Sequence, residues 1–183
     1  MGTALLVIDM QMHMADRTAS GRPRCNPDAE KHVASLLALF RAKGMPVFHV
    51  MHHDIDPASS FHKGMHEAEP MPCALPMANE PVFWKTGSSG FSGTGLDSAL
   101  RRAGISRIVL VGAVAAYCIT STTRAGHDLG FEIVLPGDAL LGFDLPAHGN
   151  GRIDADTALQ VTLATLGSDF AQVVTTDQVA ALV

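Results

Sequence analysis

No cluster of lysines and arginines occurs anywhere in the chain. Its 13 basic residues are scattered among 18 acidic ones, and the formal net charge is −5. Phosphate backbones are bound by concentrated positive charge, so this distribution argues against a nucleic-acid partner. Nor does any apolar run approach the ~18 to 20 residues of a membrane span, so no membrane association is expected. The first residues, Met1-Gly2-Thr3-Ala4-Leu5-Leu6-Val7-Ile8-Asp9, carry no basic segment and read straight into a strand, so no secretory leader is expected. Cysteine is scarce. Cys25, Cys73 and Cys118 are odd in number and unrelated in spacing, which suits neither a disulfide framework nor a zinc site. The expected compartment is the cytoplasm. Internal repeats, linkers and low-complexity stretches are absent as well. With 183 residues, 47% of them hydrophobic, the chain is long enough for a substantial core in a single domain, 1–183.

What is present is a series of short apolar runs separated by helical patterns. Ala4 to Ile8 is apolar without alternation and stops at Asp9, as in a strand covered on both faces. Asn26-Pro27-Asp28-Ala29-Glu30 offers a cap and a first-turn proline. Val33, Leu36, Leu37 and Phe40 then recur at helical spacing as far as Lys43, with Gly44 as the stop. Further strands are predicted from Met45 to about Met51, over Pro81–Trp84, Ser106–Val111, Phe131–Leu135 and Ala171–Val174. Helices are predicted from Gly95 to Gly104, from about Cys118 to Gly130, over Ile153–Leu166, and briefly after Thr176. Residues 55–80 and 141–150 read as loops, and loops this long are more often functional than idle. Six strands, most of them separated by helices, predict an α/β fold: a three-layer α/β/α sandwich with a mainly parallel six-stranded sheet, Rossmann-like in plan.

In a parallel sheet all carboxyl ends lie along one edge, where ligands bind. Three strands end on reactive side chains there: Asp9 after the first, Lys85 after the third, and Cys118 beyond the fourth. Cys118 follows a strand, a glycine and a run of small residues, at or near a helix start. Backbone N–H groups and the helix dipole favour an anion at such a place, so the thiol is expected to ionise below its free pKa of ~8.5. A carboxylate can take the thiol proton, and a lysine beside both can hold the charges.

Those residues, with their surroundings, resemble the isochorismatase-like cysteine hydrolase family. The matching segments are Leu5-Leu-Val-Ile-Asp9-Met-Gln11, Glu80-Pro-Val-Phe-Trp-Lys85 with the Gly- and Ser-rich stretch to Asp97, and Val111-Gly-Ala-Val-Ala-Ala-Tyr-Cys118, followed by Thr122, Ala125 and Asp128-Leu-Gly130. The resemblance implies a cofactor-independent hydrolase that cleaves the C–N bond of a small-molecule amide through a thioester. Cys118 would be the nucleophile, Asp9 the general base and Lys85 their charge partner. It also implies a non-proline cis peptide at Ala113–Val114 and an oxyanion hole formed by the N–H groups of Val114 and Cys118. A homo-oligomer, dimer or tetramer, is expected on the same ground. The chain departs from many relatives in having Ala115 and Ala116 where they carry threonine and an acid, so a side-chain contact to substrate is lost there.

Alternatives within the fold are an isochorismatase-type vinyl ether hydrolase, which does not need the thiol, a metal-assisted nicotinamidase, and a non-catalytic binding protein. Redox sensing would need a resolving cysteine, which neither Cys25 nor Cys73 suggests. Related nicotinamidases hold a divalent metal through an Asp-x-His pair. This chain has His52-His53-Asp54 with Asp56 where that histidine would stand, and histidines spread through a loop, such as His62 and His66, are more often hydrogen-bonded or solvated than ligating, so no metal site is expected. The aromatic and polar residues beside the site, Gln11, His53, Phe61, Trp84, Phe91 and Tyr117, are candidates for the substrate pocket. For Trp84 and Phe91, packing in the core is an equal expectation.

Overall fold

A computed structural model of the protein describes residues 2–183. In chain order the elements are β1 (Gly2–Ile8), α1 (Met12–Ala19), α2 (Ala29–Ala42), β2 (Val47–His52), β3 (Val82–Lys85), α3 (Leu96–Arg102), β4 (Ile105–Ala113), α4 (Thr120–Asp128), β5 (Glu132–Pro136), β6 (Leu140–Leu141), β7 (Leu145–Pro146), β8 (Arg152–Ile153), α5 (Ala155–Asp169), β9 (Gln172–Val174) and α6 (Thr176–Val179). The main sheet runs β3-β2-β1-β4-β5-β9 with every pair parallel, and the short β6 lies beside the end of β4.

Continuous apolar strands make sense in this sheet because both of its faces are covered. In β1 the side chains alternate: Leu5 and Val7 join a cluster with Val33, Leu36, Leu37 and Phe40 of α2, while Ala4, Leu6 and Ile8 join the other with Leu96 and Leu100 of α3 and Leu159 and Leu166 of α5. The two clusters are the interfaces between the sheet and its two helical layers. The chain order turns back at β1: β2 and β3 extend to one side of it, β4 and β5 to the other. That reversal is the topological switch point, where the loops leaving β1 and β4 diverge and open a crevice.

Several local expectations are corrected. Residues 12–19, which show no clear start signal in the sequence, form α1; its buried contribution is Met14 alone, too little to produce an apolar stripe. Asn26 does not cap α2. It adopts a left-handed φ of 47°, and its side-chain amide donates instead to the carbonyls of Gly137 (2.7 Å) and Leu140 (2.8 Å), so that Asp28 takes the cap position. The stretch 141–150 is not all loop, because Leu140–Leu141 joins the sheet and Leu145–Pro146 pairs with Arg152–Ile153. Residues 55–80 hold two short 3-10 turns, His66–Ala68 and Pro72–Ala74. No helix among the described residues is long and apolar enough to cross a membrane.

Candidate active site

Gly112 shows how closely the two central strands approach. It pairs with Ile8 at φ 120°, and a Cβ there would lie 2.1 Å from the Ile8 carbonyl oxygen. Only glycine fits. Immediately beyond Ile8, Asp9 turns the chain with a left-handed φ of 49°, an uncommon conformation for a residue with a side chain. Its N–H donates to the Val50 carbonyl (2.9 Å), which fixes the carboxylate at the edge of the sheet. On the β4 side, the Ala113–Val114 peptide is cis and residues Ala115–Ile119 form a π-helical turn that carries Cys118 into α4. Such wide turns recur at functional sites.

Lys85 ends β3, two strands away from β1, and its side chain crosses β2 to reach the centre. Its Nζ lies 2.8 Å from Asp9 Oδ2 and 3.2 Å from Cys118 Sγ. It also donates to the Gly87 carbonyl at 3.2 Å and stands 3.4 Å from His52 Nδ1. Asp9 and Lys85 are buried, each 1% exposed, so this is an ion pair in a dry setting. The loop after β3 is fastened to α4 by a Gly90 N–H to Thr122 Oγ1 bond of 2.9 Å and a Ser88–Ser121 hydroxyl contact of 2.8 Å. Lysine and cysteine are thereby held in register although they arise from different strands.

The electrostatics differ from the sequence expectation. Burial and the neighbouring Asp9 charge outweigh Lys85 and push the Cys118 thiol up to about 11, not below its free value. Burial likewise raises the Asp9 carboxyl, opposed by Lys85 and by the thiol beside it. Asp9 Oδ1 is buried with no hydrogen-bond partner among the described residues, and the Cys118 thiol is among the groups that act on its carboxyl. The thiol is therefore neutral at rest, beside the Asp9–Lys85 pair. Moving the thiol proton to Asp9 leaves acid, ammonium and thiolate with the same total charge, so the transfer brings no new net charge into a buried place. A carboxyl with a raised pKa beside a thiol is suited to that exchange.

The remaining candidates divide. Gln11 is not free to touch substrate: its Nε2 donates to the carbonyls of His52 and Ala68, both at 2.8 Å, and its Oε1 accepts from the His52 N–H at 2.9 Å. It clamps the end of β2 instead. Phe91 stacks on Phe131 (5.8 Å between centroids) and packs against the core, so it leaves the pocket set. Trp84 precedes Lys85 and points to the opposite face of β3, with its ring edge-on to His53 (5.7 Å) and Lys63 Nζ 4.8 Å over its face. His53 sits with it, so neither faces Lys85. Phe61 does approach the site, through a tilted stack on His52 at 5.3 Å, and Tyr117, beside the cysteine, is 53% exposed. His52, weighed in the sequence only as a metal-ligand candidate, is the residue whose place the sequence did not show. Its signal was its place at the end of β2, the strand that Lys85 must cross.

Metal-ligating geometry does not form in the loop. The His62 Nδ1 contacts the Asp54 carbonyl (2.9 Å), His66 faces Asp16 (3.5 Å), and His13 pairs with Glu67 (2.7 Å). Among the described residues no three His, Cys, Asp or Glu side chains converge on a common point. As placed, these side chains do not form a divalent-ion site. A cleft of 370 Å³ bounded by Arg41, Met77 and Glu80 lies at the opposite, amino-terminal edge of the sheet and contains none of the central residues.

Comparison with known proteins agrees with this architecture. YrdC of Bacillus subtilis (strain 168), an isochorismatase family protein, is 33% identical over 175 residues, which are 96% of this chain and 92% of that protein. Streptothricin hydrolase of Streptomyces noursei is 31% identical over 147 residues, 79% of this chain and 56% of its own length. A crystal structure of an isochorismatase-family protein from Chromobacterium violaceum ATCC 12472 superposes with a TM-score of 0.93 at 32% identity, covering 98% of this chain and 92% of that one. The isochorismatase domain itself matches residues 3–178, from the first strand to the last helix. A match of that extent, on a sheet that ends its β1, β3 and β4 segments at one crevice, places the chain in the isochorismatase family of hydrolases.

Proposed function

We propose that this hydrolase cleaves the C–N bond of a small-molecule amide with Cys118 as nucleophile, Asp9 as general base and acid, and Lys85 as the fixed cation between them. The observation that supports the reading is the position of Lys85 Nζ, 2.8 Å from Asp9 and 3.2 Å from Cys118 in a buried site. Asp9 takes the thiol proton as Sγ attacks the amide carbonyl carbon. The carbonyl oxygen becomes an oxyanion, for which the N–H groups of Val114 and Cys118 are the donors in this reading; one such donor contributes roughly 10²- to 10³-fold in rate. The proton on Asp9 passes to the leaving nitrogen, the C–N bond breaks, and ammonia or an amine departs from a Cys118 thioester. Water then gives a proton to Asp9 and attacks the thioester. The Cys118 sulfur leaves as thiolate, recovers that proton, and the carboxylic acid is released.

Streptothricin hydrolase, one of the relatives, is by its name a hydrolase of streptothricin. The test is a screen of small amides for ammonia or amine release, with Cys118→Ala and Cys118→Ser as controls. Loss of turnover in both, with unchanged thermal unfolding, and a trapped acyl mass on Cys118 of the parent are the expected results. Turnover retained by Cys118→Ala would overturn the assignment and favour a reaction that does not need the thiol.

A further inference from the structure

We propose that His52 is a positioning residue for the nucleophile, acting through Lys85; the proposal rests on the triad reading above and adds a fourth residue to it. The register sets His52 directly opposite Lys85 on the neighbouring strand. Its Nδ1 lies 3.4 Å from Lys85 Nζ, and its Nε2 lies 3.4 Å from Asp54 Oδ1. An ammonium has only hydrogens to offer, so Nδ1 must be the unprotonated, accepting nitrogen, and Nε2 carries the hydrogen that faces Asp54. Asp54 is itself held by the Ser59 hydroxyl at 2.6 Å.

The ring is fixed more firmly than a surface histidine needs. Gln11 binds both the N–H and the carbonyl of its backbone. Phe61 covers it at 5.3 Å, and His13, paired with Glu67, stacks behind Phe61 at 4.8 Å. The charged or titratable groups that face His52 are therefore Lys85 and Asp54 directly, Asp9 through its charge, and His13 and Glu67 behind the phenylalanine. All of this holds one nitrogen lone pair toward a buried ammonium.

That lone pair matters because Lys85 has three hydrogens and its counter-charge moves. At rest Asp9 is the anion; once Asp9 holds the thiol proton, Cys118 is. Gly87 O and His52 Nδ1 are the two neutral acceptors that stay constant while the negative charge shifts from one neighbour to the other. They keep the ammonium at the junction, where a displacement of about 1 Å would cost up to 10²-fold in rate.

The experiment compares His52→Asn with His52→Gln. Asparagine places its Oδ1 near the position of Nδ1, facing Lys85, whereas glutamine places its polar group near Nε2, facing Asp54. On an amide that the parent turns over, His52→Asn should keep kcat within about threefold, and His52→Gln should lose roughly tenfold in kcat with KM changed less than twofold. In parallel, the rate at which iodoacetamide alkylates Cys118 at pH 8 should be near that of the parent in His52→Asn and at least several-fold slower in His52→Gln. A histidine that only packs and binds Asp54 predicts the reverse ranking, with glutamine the better replacement, and that ranking or equal behaviour of the two would overturn the proposal. The alkylation arm needs no turnover. If the parent hydrolyses no amide, the functional reading fails while the role of His52 is still decided.

Discussion

Replacing Asp9 by asparagine should make Cys118 more reactive to an external alkylating agent even as it abolishes turnover. The thiol is pushed up to about 11 by burial and then by the Asp9 charge, against the pull of Lys85. Asparagine keeps the shape and removes the charge. For an anion pair at about 4 Å, with an effective dielectric near 20, the repulsion is ~4 kcal/mol, and roughly two-thirds of it, ~2.7 kcal/mol, corresponds to about two pKa units. At neutral pH the thiolate fraction would then rise about a hundredfold. A less basic thiolate is also a weaker nucleophile, with a Brønsted slope near 0.45, so the net gain in alkylation rate is about tenfold. The assay is iodoacetamide labelling at pH 7 to 8, read by peptide mass so that Cys118 is followed separately from Cys25 and Cys73. Burial raises both of those thiols, and neither is near Asp9 in the structure, so their rates should not change. An unchanged or slower rate at Cys118, with Cys25 and Cys73 still protected, would refute the account of its electrostatics. A rise at all three would mean that the variant has loosened, and Asp9→Leu, uncharged and of similar size, then serves as the second comparison.

Gln11→Leu leaves the backbone N–H and carbonyl of His52 and the carbonyl of Ala68 without their partner and should lower stability by about 2–3 kcal/mol, read from the urea midpoint. Gln11→Glu should do no better, because a carboxylate cannot donate to the two carbonyls. Gly112→Ala should prevent accumulation of folded protein, since its Cβ would meet the Ile8 carbonyl at 2.1 Å with φ at 120°. At the opposite sheet edge, Glu80 accepts from Arg41 at 2.7 and 2.8 Å and lies 2.9 Å from His49, and it is held at about 2 despite its burial. A depressed carboxyl adds stability that is complete above about pH 4.5 and is lost as the pH falls toward about 2. His49, lowered mainly by burial, adds to acid sensitivity from about pH 6.5 downward, because the unfolded chain binds its proton more readily. Glu80→Gln should therefore cost about 2 kcal/mol at pH 7 and flatten the acid limb of a urea titration between pH 4.5 and 2.5; an unchanged acid limb would sink this assignment.

The layer plan was readable because the signal it depends on is strong. Runs such as Ala4–Ile8 and Ile108–Val111 are apolar on both faces, and only a sheet covered on both sides can bury them. What the sequence concealed were elements held by polar or backbone contacts instead of apolar stripes. Helix α1 buries Met14 alone, and β6 is a two-residue strand recognised only by its pairing with Gly112 and Ala113. Asn26 carried a helix-cap signal but is used, through its left-handed backbone, to tie the start of α2 to the loop after β5. The same limit governed the pocket. Gln11 and Phe91 are the right residue types in the right neighbourhood, yet the amide of Gln11 is committed to the backbone and the ring of Phe91 to Phe131. Orientation decides between such roles, and neither periodicity nor spacing encodes it.

The thiol presents the sharper case, because there the position was read correctly and the sign was not. A helix start and a nearby lysine both favour a thiolate, and on an exposed surface they would prevail. Here Lys85 is already paired with Asp9 at 2.8 Å, so most of its field at the sulfur is cancelled by the carboxylate, and the loss of water is left uncompensated. An ion pair attracts a third charge weakly; it does, however, accommodate a proton moving from the third group to its own anion, since the cation then serves whichever neighbour is negative. In the proposed reaction, a site arranged this way keeps its cysteine protonated, and so resistant to adventitious oxidation, until a carbonyl is in place to accept the sulfur. The raised thiol and the raised carboxyl are two consequences of one arrangement, and in the proposal above the Lys85 ammonium, held by Gly87 and His52, is what lets the proton move between them.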